Sequence, residues 1–147
     1  MFLQAIDSIK APKAIGPYSP GIKLGDFVYL SGQIPLDPDS GELVGDDIRQ
    51  QTQQVMENIK ALLAEVGLET HHIVKTTIFL KDMADFTVVN EVYTDYFSAP
   101  YPARSTVAVA DLPKNAKVEI ECLVLDTLAY ENSCDGCHSD CDSCCHE

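Results

Sequence analysis

Between Asp46 and Gly67 the apolar residues Ile48, Val55, Ile59, Leu62, Leu63 and Val66 recur at spacings of three, four and seven. That period gathers them on one stripe of a helix, and such a helix must bury the stripe against a second layer. Asp46 or Asp47 can cap its start, because a short acceptor side chain satisfies the free N–H groups of the first turn. Gly67 reads as its stop, since glycine takes the left-handed geometry of a helix end without strain. The flanking segments supply the second layer. Phe27–Leu30 is a short apolar run ended by Ser31-Gly32, and Ile73–Leu80 is β-branched and aromatic, so both read as strands. The Pro, Asp and Gly content of Leu36–Gly41 marks a loop. A second helix carries Phe86, Val89, Val92, Tyr93, Tyr96 and Phe97, with Asp85 placed to cap it and Pro100 and Pro102 ending it. Arg104–Ala110 and Lys117–Asp126 read as strands joined by a turn at Asp111–Ala116. Strands, helix, strand, helix and two strands predict an α+β domain, with a mixed sheet and both helices on one face.

At 147 residues the chain supports one domain with a real core and is too short for two ordinary ones. The predicted division is a folded domain over residues 1–129 and a cysteine-rich tail over 130–147. A net charge of −13 works against binding nucleic acid through phosphate neutralisation. No apolar run approaches the length of a membrane span, and Met1–Asp7 has neither a basic segment nor a long apolar one. The expectation is a cytoplasmic protein without a membrane partner.

Five of the six cysteines fall at the C-terminal end, while Cys122 sits in an apolar run. A disulfide framework would spread them through the fold. Cys134-x-x-Cys137 and Cys141-x-x-Cys144 are instead ligand-like pairs, with Cys145, His138 and His146 adjacent, and suit zinc or another thiophilic metal. The gap between the pairs is shorter than in ordinary zinc ribbons, so a standard finger fold is not expected. A tail without fixed structure, active only in redox chemistry, is the competing reading. His71 and His72, just before a strand, read as surface residues.

The last two strands carry the chemistry. With a turn centred between Pro113 and Lys114, Ala108 faces Glu119, Thr106 faces Glu121 and Arg104 faces Leu123. Alternation then puts Arg104, Thr106, Ala108, Glu119 and Glu121 on one face, with Val118, Ile120, Cys122 and Val124 on the other. An arginine beside two glutamates is either a solvated ion-pair patch or a working pair. In the second case the planar guanidinium grips a carboxylate with two hydrogen bonds, and a glutamate activates water.

Four ordered segments extend this reading: Ala14–Pro20 (AIGPYSP), Ser31–Pro35 (SGQIP), Ile73–Thr77 (IVKTT) with Val89-Asn90, and Pro102–Ser105 (PARS) running on to Val118–Glu121 (VEIE). Together they resemble the RidA/YjgF/YER family over about residues 1–127. The resemblance implies a chorismate-mutase-like fold of the bacillary type, a homotrimer, and active sites between subunits. It also implies hydrolysis of 2-imino or enamine acids, such as 2-iminobutanoate and 2-iminopropanoate, to 2-oxo acids and ammonia, with no cofactor. By position Arg104 resembles the carboxylate anchor, and Glu119 the residue that positions water. Tyr18, Ser31 and Asn90 resemble ligand-contacting residues. Gly32 and Thr106 resemble positions that offer backbone N–H groups. Many members have Cys where this chain has Thr106, which bears on substrate choice if the side chain is used. The alternatives are a ligand-binding or regulatory trimer, including the RNA-cleaving or translation-inhibiting role ascribed to some relatives, and a metal-binding protein acting through the tail.

Overall fold

A computed structural model describes residues 2–134. Its elements are β1 (Leu3–Ile6), β2 (Gly21–Leu24), β3 (Phe27–Gln33), α1 (Ile48–Ala64), β4 (Ile73–Leu80), α2 (Phe86–Tyr96), β5 (Ala103–Ala108), β6 (Val118–Leu125) and α3 (Leu128–Cys134). The six strands form one mixed sheet in the order β1-β2-β3-β6-β4-β5. All neighbours are antiparallel except β4 and β5, which run parallel.

The expected α+β layering is present. The α1 stripe, with Val55, Met56, Ile59, Leu62 and Leu63 fully buried, packs with Val89 and Tyr93 of α2 on one face of the sheet. That face is built from Val28, Leu30, Ile78, Leu80, Val118, Ile120, Cys122 and Val124. Asp47 caps α1 by accepting the Arg49 N–H at 2.7 Å, and Gly67 closes its C-terminal end at φ +72°. Asp85 stands at the start of α2 without a side-chain capping bond. Among the described residues no helix is long and apolar enough to cross a membrane.

Two buried amides on α1 bind neighbouring segments to the helix. Asn58 donates to the Ile34 and Leu36 carbonyls at 3.3 and 3.0 Å. Gln51 donates to the Gly45 carbonyl and accepts the Lys117 N–H at 2.9 Å, directly ahead of β6. An unmade bond at such buried groups costs about 1–3 kcal/mol, so Gln51 holds the start of β6, and Asn58 the segment after β3, against α1.

Two expectations are corrected. The segments 104–110 and 117–126 do not form a hairpin, because β4 lies between them and pairs with both. A short helical turn at Pro113–Asn115, with Lys114 and Asn115 at positive φ, carries the chain from one side of β4 to the other. His72 is buried, not on the surface: its ring nitrogen Nδ1 accepts the Glu69 N–H at 3.0 Å and so caps the turn before β4. Helix α3 spans the 129/130 division read from the sequence, and its Leu128 packs against the core. Strands β1 and β2 were not anticipated; β1 buries only Ile6 and so shows little apolar alternation.

Candidate active site

The residues singled out in the sequence fall into two groups on opposite faces of the sheet. The first is built on β3 and β6. Leu30 lies opposite Cys122 and Gln33 opposite Ile120, so Ser31 and Gly32 share one partner position, Glu121. Such a bulge turns the local backbone away from the regular pleat. The Ser31 N–H donates to the Pro20 carbonyl at 2.9 Å, and its hydroxyl to the Ser19 carbonyl at 2.7 Å. These bonds hold the Gly16–Pro20 loop over the bulge, where the Tyr18 hydroxyl accepts the Ile15 N–H at 3.2 Å. Glu119 reaches back across β6 onto the same spot. A Cβ at position 32 would stand 1.9 Å from Glu119 Oε1, a separation no side chain can occupy. Glycine there is what lets the carboxylate rest on the β3 backbone.

Glu119 is opposite Phe79 and Glu121 is opposite Thr77, so both glutamates emerge on the face away from the helices. Partial burial raises the Glu119 carboxyl above its ordinary range, and the negative charge of Glu121 raises it further. Beside them Tyr29, Ser31, Lys75, Thr77, Glu121 and Leu123 line a hollow of about 290 Å³. The surrounding face is apolar: Phe27 and Tyr29 are 50% exposed and Val107 is 44% exposed.

The second group is built on β5 and α2. In a parallel pair, residues directly across share a face, and Arg104 is across from Thr76, which is buried beneath the helices. Arg104 therefore emerges on the helix side. Its guanidinium carbon lies 5.1 Å from the Tyr93 ring centre and 5.6 Å from that of Phe86. Asn90, Tyr93, Thr94, Tyr101, Pro102 and Arg104 line a concavity of about 280 Å³. Thr106 lies across from Ile78 on the same side, and its Oγ1 is buried with no hydrogen-bond partner among the described residues.

The predicted grouping of Arg104 and Thr106 with Glu119 and Glu121 on one face is thus overturned, because it assumed antiparallel pairing of β5 with β6. Two strand spacings, about 10 Å, and the thickness of the sheet separate Arg104 from Glu119. Tyr93 and Phe86 were legible only as part of an apolar helix stripe. Nothing in their spacing marked them as neighbours of an arginine.

His71, His72 and Glu131 bring one donor atom each within 4.8 Å of one another. The tautomer works against a metal there. His72 Nδ1 accepts the Glu69 N–H, so the proton of the neutral ring sits on Nε2, which faces a Glu131 carboxylate oxygen at 3.2 Å. A ligating histidine needs the opposite arrangement, its second nitrogen donating. Cys134 ends α3, while Cys137, Cys141 and Cys144 lie outside the described residues.

Known proteins with this geometry can now be compared. The Endoribonuclease L-PSP family model matches residues 8–125. The chain belongs to the RidA/YjgF family. A RutC family protein of Pyrococcus abyssi is 50% identical over 123 residues, 84% of this chain and 97% of that protein. A protein of Dermatophagoides farinae named 2-iminobutanoate/2-iminopropanoate deaminase is 46% identical over 115 residues, 78% of this chain and 90% of its own length. The crystal structure of the YjgF gene product from E. coli superposes with a TM-score of 0.78 at 44% identity, covering 83% of this chain and 98% of that one. The span matched by the family model contains both residue groups, Tyr18 to Glu119, and ends at the last residue of β6. Helix α3 and the cysteines that follow it lie beyond that span.

Proposed function

We propose that this protein hydrolyses 2-imino acids, 2-iminobutanoate and 2-iminopropanoate among them, to 2-oxo acids and ammonia. The observation that carries the reading is the division of the site: an arginine with no anionic partner among the described residues on one face of the sheet, and a glutamate with a raised pKa on the other. The two become one site when the Arg104 group of one copy meets the Tyr18–Ser31–Gly32–Glu119 group of a second copy. A ring of such contacts closes as a homotrimer, and the half-exposed Phe27, Tyr29 and Val107 give the sheet an apolar face to bury within it.

In this site Arg104 grips the substrate carboxylate through its paired N–H donors. Gly32 and Thr106 lend backbone N–H groups, and Tyr18, Ser31 and Asn90 shape the walls. Water held by Glu119 adds through oxygen to C2 as its proton passes to the carboxylate, and the C=N electron pair moves to nitrogen. Glu119 returns that proton to the nitrogen. It then relays the hydroxyl proton of the carbinolamine to the same nitrogen, the C2–N bond breaks with its electron pair going to nitrogen, and ammonia leaves as the 2-oxo group forms. A carboxylate with a raised pKa suits both giving and taking the proton. The carbon is already electrophilic, so the steps require no cofactor.

RNA cleavage, which the family model carries in its description, is disfavoured by the net charge of −13. The cysteine-rich segment is proposed to bind a thiophilic metal apart from catalysis, and the cytoplasm is the compartment proposed. The deciding experiment generates the imine in place from an amino acid and a pyridoxal-phosphate-dependent dehydratase. Faster release of 2-oxo acid with the protein present is expected, and an unchanged rate sinks the reading.

A further inference from the structure

A guanidinium that must seize a substrate carboxylate faces a conflict. An internal ion pair would hold it in place, yet that pair would have to break at every binding event. Arg104 avoids the conflict by resting on aromatic faces. Among the described residues it makes no ion pair or side-chain hydrogen bond, and its contacts are the rings of Tyr93 and Phe86. Attraction to a ring face engages the flat side of the cation and leaves the N–H donors at its edge free.

The ring is itself held. Tyr93 is 5% exposed, its hydroxyl lies 2.9 Å from Thr76 Oγ1, and its ring packs on Phe97 at 4.3 Å between centres. Thr76 is fully covered and is the residue directly across β4 from Arg104. The sheet register that places Arg104 therefore also places the residue that orients the ring beneath it. Arginine, tyrosine and threonine close a loop through one rung of the β4–β5 ladder.

We infer that Tyr93, oriented by Thr76 and assisted by Phe86, is a positioning residue that holds the Arg104 guanidinium ready for the substrate carboxylate. The inference rests on the imine-deaminase reading for its substrate but not for its test, since carboxylate capture can be read without turnover.

The variants are Tyr93→Leu, Tyr93→Phe, Thr76→Val and Phe86→Leu in the full chain. Binding of butanoate and of neutral butanamide is measured by calorimetry beside KM and kcat for the imine. Tyr93→Leu should weaken butanoate and raise KM about tenfold while kcat stays within about threefold, as expected for losing a desolvated cation–ring contact. Butanamide binding should not change. Tyr93→Phe should restore most of the loss, and Thr76→Val and Phe86→Leu should fall between. Phe86→Leu, at a less buried position, keeps the test open if Tyr93→Leu does not fold. If Phe86→Leu and Tyr93→Leu leave butanoate affinity and KM unchanged, or weaken acid and amide alike, the positioning role is overturned. It is also overturned if the wild-type protein binds no butanoate. If the wild-type protein binds butanoate and the variants weaken it, but imines are not hydrolysed, the positioning role stands and the deaminase reading falls.

Discussion

The two half-sites are held by different physics. On the β3–β6 side the proposed working group is seated against backbone: a bulge, a glycine without a side chain, and a loop bonded to Ser31 shape the spot where the Glu119 carboxylate lies. On the β5–α2 side it is fixed by side chains: an edge strand offers Arg104 to two rings, and one of them is anchored through Thr76. A proton-transfer group tolerates little displacement from its water. A charge that must close on an incoming anion benefits from a soft, unoccupied mount.

The comparison is broken most directly by removing each working group in turn. Glu119→Gln should lower kcat by two to four orders of magnitude, about the usual worth of a general base. Arg104→Ala should lower kcat/KM on the order of a hundredfold or more by removing a charge-assisted bidentate contact. Assays of both purified variants with one imine check this. Mixing the two inactive chains, unfolding them and reassembling them is sharper. In a ring whose sites each take Arg104 from one copy and Glu119 from the next, about a quarter of the sites regain both groups. No recovery would place both groups in one chain's site.

Gly32→Ala tests the backbone-held half alone. The added carbon expels Glu119 from its seat, so turnover should fall about tenfold or more while the melting temperature changes little. Glu121→Gln tests its electrostatics. Burial first, and the Glu121 charge second, raise the Glu119 pKa. Removing that charge eases ionisation, so the acid limb of kcat/KM should move to lower pH by less than about one unit, with activity at neutral pH nearly unchanged. A shift upward, or a loss equal to that of Glu119→Gln, would reverse the roles of the two glutamates. The smallest effect is expected outside both halves. Serine at Cys134, Cys137, Cys141 and Cys144 should leave imine turnover unaltered while abolishing zinc uptake by the reduced protein, followed by metal analysis after gel filtration.

What could be read from sequence follows from how local each feature is. The α1 stripe, its Asp47 cap and the limits of β4 are set within a dozen residues, and the structure matches them. The apolar alternation of Val118, Ile120, Cys122 and Val124 correctly named the face that meets the helices. The partner of β5 could not be read in that way. Nothing near Arg104 states that β4, more than twenty residues earlier, pairs with it in parallel, and adjacency along the chain favoured a hairpin. That single error moved Arg104 and Thr106 to the wrong face and hid the separation of the halves. His72 misled for a similar reason: its Nδ1 replaces a capping carboxamide, a use of histidine that its position before a strand does not announce.

The contact of Glu119 with Gly32 also bears on how such a chain can change over generations. Positions 32 and 119 share one volume, so a side chain at 32 displaces the end of Glu119. A methyl group at 32 is accommodated when the flexible end of Glu119 swings aside, so the fold tolerates it while the carboxylate loses its place on β3. No such overlap ties Arg104 to its rings, and a phenylalanine at 93 would still offer a ring face. Under the proposed chemistry, change at position 32 therefore carries a cost in turnover that exchange of one ring for another on the β5–α2 side does not.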